Sequence, residues 1–138
     1  MWLWKEIAMP FMEISDFGGP LEARKAAAEE ATRALVEAYK VSPDIVTCYF
    51  HDSRDAYAHA GKFGEDAEKK RIFIKLHAFP RPKDQQNRAA RALATAFAES
   101  YGLPLAHVAI YFVARDETDA YHGGISAADM KQTRSRNS

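Results

Sequence analysis

Residues 45–62, IVTCYFHDSRDAYAHAGK, and residues 107–124, HVAIYFVARDETDAYHGG, carry one pattern written twice. Each runs from an apolar stretch through Tyr-Phe and Arg-Asp to Ala-Tyr, a histidine and a glycine. The match extends backwards: MEISDF (12–17) faces IKLHAF (74–79), and AYKVSPDIV (38–46) faces SYGLPLAHV (100–108), both at an offset of 62 residues. Self-similarity at a fixed offset marks a repeated structural unit, and it is read before any local motif.

Each half reads strand, helix, strand. Residues 11–17, 45–51, 72–79 and 107–113 are rich in the β-branched and aromatic residues that suit a pleated, half-buried surface. Between them lie Ala-rich segments with apolar residues at helical spacing: Leu21, Ala28, Ala31, Leu35 and Ala38, then Ala89, Leu93, Ala96, Phe97 and Tyr101. Pro20 and Pro82 suit a first helical turn, where a missing N–H costs little, and Gly102 suits a C-terminal cap. The pattern predicts an α/β fold of two tandem βαβ units joined edge to edge into a four-stranded mixed sheet, with both helices on one face because βαβ crossovers share one hand. The other face, carrying Phe11, Tyr49, Phe73 and Tyr111, then exposes more apolar area than a soluble monomer tolerates, which argues for an oligomer. The expected organisation is an extension (1–9), one domain (10–124) built of repeats 10–62 and 71–124, and a polar tail (125–138) whose last stretch, KQTRSRNS (131–138), lacks apolar periodicity and is expected to fray; FGEDAEKKR (63–71) is the exposed connection between the halves.

At 138 residues, 47% hydrophobic and 28% charged, the chain has the composition of one globular domain. Nineteen Lys and Arg balance nineteen Asp and Glu, so nothing in the net charge drives binding to nucleic acid or to a membrane surface. No apolar run approaches the roughly 20 residues of a membrane-spanning helix, and MWLW is too short for a signal-peptide apolar region. Cys48 is the single cysteine, so nothing calls for an oxidising compartment; a cytoplasmic location is expected. Its setting, IVTCYF, reads as a strand thiol rather than a nucleophile, since no cation lies beside it.

The proline-headed strand of MPFMEISDFGGPLEARK, the segment FPRPKDQQNRA, and the short AYAHAG and AYHGG segments together resemble the tautomerase superfamily, over residues 10 to about 124. The tandem arrangement is similar to its fused members of the malonate semialdehyde decarboxylase and cis-3-chloroacrylic acid dehalogenase type. The resemblance implies the tautomerase fold, a homotrimer whose bare sheet faces pack as a barrel, hairpins at AYAHAG and AYHGG, and a small 2-oxo or enol carboxylate as substrate. It also implies catalysis by Pro10 as an N-terminal secondary amine. An α-amine has a reference pKa of about 8, so a modest downward shift leaves it basic near pH 7.

As numbered, Pro10 is an amide nitrogen without a proton, and it is inert. Either Met9-Pro10 is the natural start, or residues 1–9 extend the first strand and the chain is a binding or scaffold protein. The family's arginine after the first strand is replaced by glycines and Pro20, whereas Arg81 in FPRPKDQQ keeps the corresponding position of the second half. Arg81 is thus the implied carboxylate anchor, since a guanidinium grips a carboxylate bidentately. A second arginine is missing at Ala78, Phe79 and Pro80, which points away from decarboxylase or dehalogenase chemistry.

Tyr111 matches a strand tyrosine that donates to substrate or water in some members, and it equally suits an interface, since Tyr49 is its repeat partner. Tyr57 and Tyr121 stand near the family's aromatic wall or serve as interface packing. Arg71 reads as a surface charge, and Asp44 and Asp119 as turn residues rather than water-activating carboxylates. His51, His59, His77, His107 and His122 lack the paired spacing of zinc ligands, and the Gly18-Gly19 pair lacks a phosphate-cradling context, so no metal and no cofactor is expected.

Overall fold

The computed structural model describes residues 10–136. The first repeat contains β1 (Phe11–Asp16), α1 (Leu21–Tyr39), β2 (Thr47–Asp52) and a hairpin of β3 (Ala58–His59) and β4 (Lys62–Phe63). The second contains β5 (Ile72–Ala78), α2 (Lys83–Tyr101), β6 (Val108–Ala114) and a hairpin of β7 (Tyr121–His122) and β8 (Ile125–Ser126), followed by α3 (Ala127–Arg136). The sheet order is β2-β1-β5-β6; each repeat contributes a parallel pair, and β1 meets β5 antiparallel. Two βαβ units have joined edge to edge, as the repeat predicts. Glu13 faces Lys75 across the central pair, and these are each other's counterparts at the offset of 62, so a pseudo-two-fold axis passes through an opposite-charge pair.

Side chains alternate across this sheet. Met12, Ile14 and Asp16 of β1 and Ile72, Ile74, Leu76 and Ala78 of β5 point into the core with the helices. Ala27, Ala31, Ala34, Leu35 and Ala38 of α1 and Ala89, Leu93 and Phe97 of α2 close it from one side. Each fully buried Ile, Leu, Met or Phe contributes about 1.5–3 kcal/mol. Alanine dominates both helices because its small side chain lets them approach the sheet and each other. On the opposite face Tyr49, Phe73 and Tyr111 are exposed; the Phe73 and Tyr111 rings stack at 4.8 Å, and Phe11 meets Tyr49 edge-on at 6.2 Å.

Several expectations shift. Leu21 and Ala28, seven residues apart, lie along one line beside the buried stripe, so Leu21 is 64% exposed and Ala27 takes the core position. Pro20 and Pro82 are the capping residues just ahead of the helices, where their extended backbone fits, rather than in the first turn. In the 63–71 connection, which is otherwise largely exposed, Gly64–Asp66 form a short 3-10 turn and Ala67 is buried.

The expectation of fraying from residue 131 is corrected as far as residue 136, because Ala127–Arg136 form α3. The Ser126 hydroxyl accepts from the Asp129 N–H at 3.1 Å, an N-terminal cap, while Ala127 and Met130 bury the inner face and Lys131 pairs with Glu117 at 3.6 Å. The anticipated 1–9 extension lies outside the described residues. Among the described residues no helix is long and apolar enough to cross a membrane.

Candidate functional site

The antiparallel meeting of β1 and β5 decides which residues share an end of the sheet. Phe11 pairs with His77, so Pro10 stands level with Ala78, and Arg81 follows three residues later. The ends of β6 and α1, the start of α2 and the β7–β8 hairpin gather at this same Pro10 end. Pro10 is under 2% exposed. Beside it, Phe11, His77, Phe79, Arg115, Tyr121 and His122 enclose most of a hollow of about 230 Å3.

Arg81 is half-buried. Its guanidinium lies 4.7 Å from the centre of the Tyr39 ring and donates to the Phe79 carbonyl at 3.3 Å. Burial pulls its pKa below the ordinary arginine value, with Tyr39 opposing. Arg115 donates to His77 Nδ1 at 3.2 Å, and His77 Nε2 lies 2.6 Å from Glu13 Oε2. The hydrogen bond from His77 holds the Glu13 carboxyl below the usual carboxylate range. Phe11 stacks flat on the His77 ring at 4.3 Å. Among the described residues neither Arg81 nor Arg115 has a carboxylate within ion-pair distance.

The other end of the sheet lies roughly 17 Å away, the length of a six-residue strand. Here Asp16, fully buried, accepts two hydrogen bonds from Arg24 at 2.7 and 2.8 Å and one from the Tyr101 hydroxyl at 2.6 Å. Burial alone would raise the Asp16 pKa, but Arg24 and Tyr101 together hold it below the ordinary range. Burial and the bond to Asp16 push the Tyr101 phenol well up. Gly19, the repeat counterpart of Arg81, makes this cluster possible: a Cβ there would stand 2.4 Å from the Tyr101 ring. A side chain at the place of the family's first-strand arginine would run into the Tyr101 ring.

The candidate residues separate accordingly. Tyr121 lines the hollow and shares the Pro10 end with Arg81. Tyr57 lies at the Asp16 end, packed edge-on against Phe17 at 4.4 Å with its hydroxyl on the Lys69 carbonyl at 2.9 Å. Tyr111 stands in mid-strand on the bare face, level with Lys75 and two strands from β1, 55% exposed and stacked on Phe73. Arg71 is exposed just ahead of β5. Asp44 sits in a 3-10 turn capped by Ser42, and the Asp119 N–H bonds the Asp116 carbonyl, although Asp119 also lines the hollow. Burial pushes the Cys48 thiol up to about 11.

Sequence reading missed Glu13, His77 and Arg115. The alternation of IFIKLHA already puts His77 on the bare face with Phe73 and Lys75. Arg115 was masked by the Arg-Asp match between the halves. The backbone bonds from Ser53 to Asp16 and from Arg115 to Ala78 superpose Ser53, not Arg54, on Arg115.

No family model and no curated protein matches the sequence. Solved structures do match in fold. The chain is similar to Pt0534 inactivated by 2-oxo-3-pentynoate, with a TM-score of 0.78 and 23% identity over 87% of this chain and 98% of that one. It is also similar to the F6 fused 4-OT asymmetric trimer, with a TM-score of 0.79 and 18% identity over 87% and 98%. N1, of the cis-3-chloroacrylic acid dehalogenase family, has a TM-score of 0.72 and 17% identity over 91% and 90%. With two βαβ units, a β2-β1-β5-β6 sheet, both helices on one face and a hairpin after each repeat, the chain carries the fused, two-unit fold of the tautomerase superfamily.

Proposed function

We propose that the Pro10 end is the reaction site of a tautomerase-like enzyme that moves a proton on a small 2-oxo or enol carboxylate. The observation that carries this is Arg81: a half-buried guanidinium without a carboxylate partner among the described residues, at the end of the sheet where Pro10 heads β1. Burying an arginine without a counter-anion is costly, and an incoming carboxylate offsets that cost through a charge-assisted bond. With Pro10 as a free secondary amine, the nitrogen removes a proton from carbon and returns it one position along. The substrate carboxylate stays on Arg81, and a tyrosine hydroxyl stabilises the enolate oxygen. Tyr121 is at hand for this or for the site's wall. Tyr111 and Tyr57, remote in their own subunit, would serve only from a neighbouring copy in a homotrimer, an assembly supported by the apolar bare face and by the trimers of fused 4-OT neighbours.

The test uses protein whose first residue is shown by mass spectrometry to be Pro10. It should turn over phenylenolpyruvate, and Pro10→Ala should lower the rate by about 10²–10⁴-fold. Undiminished turnover in the Pro10 variant would end this reading.

One observation favours the non-catalytic alternative, a trimeric binding or scaffold protein in which residues 1–9 block the nitrogen: Pro10 is fully buried in the chain as numbered. Intact mass of protein made from its own gene separates the two. Loss of residues 1–9 supports the enzyme, and retention of Trp2 and Trp4 supports the scaffold.

A further inference from the structure

Arg115 is held in an unusual way. An arginine has no acceptor, so in the 3.2 Å contact Arg115 donates and His77 Nδ1 accepts. The ring proton is therefore on Nε2, donated to Glu13 across 2.6 Å. Phe11, parallel to the imidazole at 4.3 Å, prevents the ring from turning, and the Arg115 guanidinium stands 5.9 Å from the Phe11 centroid. Glu13 thus fixes the His77 tautomer, and His77 fixes Arg115. The remaining guanidinium N–H groups have no protein carboxylate within ion-pair distance among the described residues, and Arg115 is one of the residues lining the hollow.

We propose that Arg115 is a second carboxylate-binding group at the Pro10 end, and that Glu13 and His77 are positioning residues which hold it only while His77 is neutral. This rests on the Pro10 end being a carboxylate site. When His77 gains a proton, Nδ1 becomes a donor facing a cation, the contact to Arg115 breaks, and the imidazolium keeps only Glu13. Histidine is the side chain that ordinarily changes charge between about pH 5 and 8. The other charged groups nearby are Asp119 and His122, which line the same hollow, and Lys75 and His51, which act on Glu13. Protonation of His122 would draw an anion in as pH falls, opposite to the effect through His77.

The test is pyruvate titrated into the full chain and followed in amide 1H–15N spectra, which also verify folding. At about pH 7.5, Arg115→Gln should weaken binding by about tenfold to a hundredfold, the loss expected for one charge-assisted bond. His77→Phe, which keeps the stack on Phe11 but neither hydrogen bond, should weaken it too. His77→Gln, uncharged at any pH and able both to donate and to accept, should restore affinity and, on acidification to about pH 5.5, hold pyruvate better than the unaltered chain does. Unchanged affinity in Arg115→Gln alongside a loss in Arg81→Gln overturns this proposal and leaves the Arg81 reading intact. The reverse result keeps Arg115 and removes Arg81 as the anchor. No binding by the unaltered chain, or no change in either arginine variant, overturns both; wild-type affinity in His77→Phe removes the positioning role.

Discussion

The two ends of the sheet descend from one pattern, yet they treat charge in opposite ways. At the Asp16 end a buried carboxylate satisfies Arg24, and Tyr101 completes the set. At the Pro10 end the counterpart of Asp16 is Ala78, the counterpart of Tyr101 is Tyr39, and the arginines there are left without an ion-pair partner among the described residues. The repeated fold offers two equivalent sheet ends: one holds an internal anion, and the other, on the reading proposed above, takes an external one.

The comparison breaks hardest at Asp16. Asp16→Ala removes one partner of a buried pair and should cost about 3 kcal/mol in denaturant unfolding. Arg81→Gln at the opposite end forfeits the cation–π contact with Tyr39 and a long bond to the Phe79 carbonyl, and should cost about 1 kcal/mol. The native Asp16 pKa lies below its unfolded value, so its contribution is present above an ordinary carboxylate pKa of about 3.9. It disappears as pH falls through the depressed native value. Asp16→Ala should flatten that acid-side loss of stability.

A smaller contrast separates the two tyrosines. Tyr101→Phe deletes a hydrogen bond to a buried carboxylate and should destabilise by about 1–2 kcal/mol. Tyr39→Phe keeps the ring under Arg81 and should stay within about 0.5 kcal/mol of the parent in the same measurement. Equal losses would show that the ends are not differentiated in this way.

The smallest contrast is at the helix ends. Both α1 and α2 close on a left-handed residue, Lys40 with φ 55° and Gly102 with φ 67°, again at the offset of 62. Only glycine takes this backbone without a steric cost. Lys40→Gly should raise the midpoint of thermal unfolding by about 1 kcal/mol equivalent, and Gly102→Ala should lower it by a similar amount.

The fold was legible because duplication doubled every weak signal. Neither MEISDF nor IKLHAF alone separates a strand from a short apolar run, but their recurrence at one offset, each followed by an Ala-rich helix and a second strand, leaves one topology. Arg81 was singled out by the family resemblance of FPRPKDQQ and not by the duplication, since its counterpart is Gly19. The Asp16 cluster was not: its members are 8 and 85 residues apart and meet only after α1 and α2 have packed on the sheet. Arg115 and His77, separated by 38 residues, likewise meet only through the pairing of β5 with β6. The α3 helix was hidden by polarity, since after Met130 its sequence is wholly polar; its signal was local, the Ser126-Ala-Ala-Asp129 cap.

Cys48 gives the edge of the sheet a built-in clock. It is the chain's single thiol, a half-buried residue on the core face of β2, and burial holds it toward the unreactive protonated form at neutral pH. Alkylation requires a thiolate in contact with solvent, so it speeds up whenever β2 peels away from β1. The labelling rate therefore responds to the breathing of one edge strand, without a probe having to be engineered into the protein.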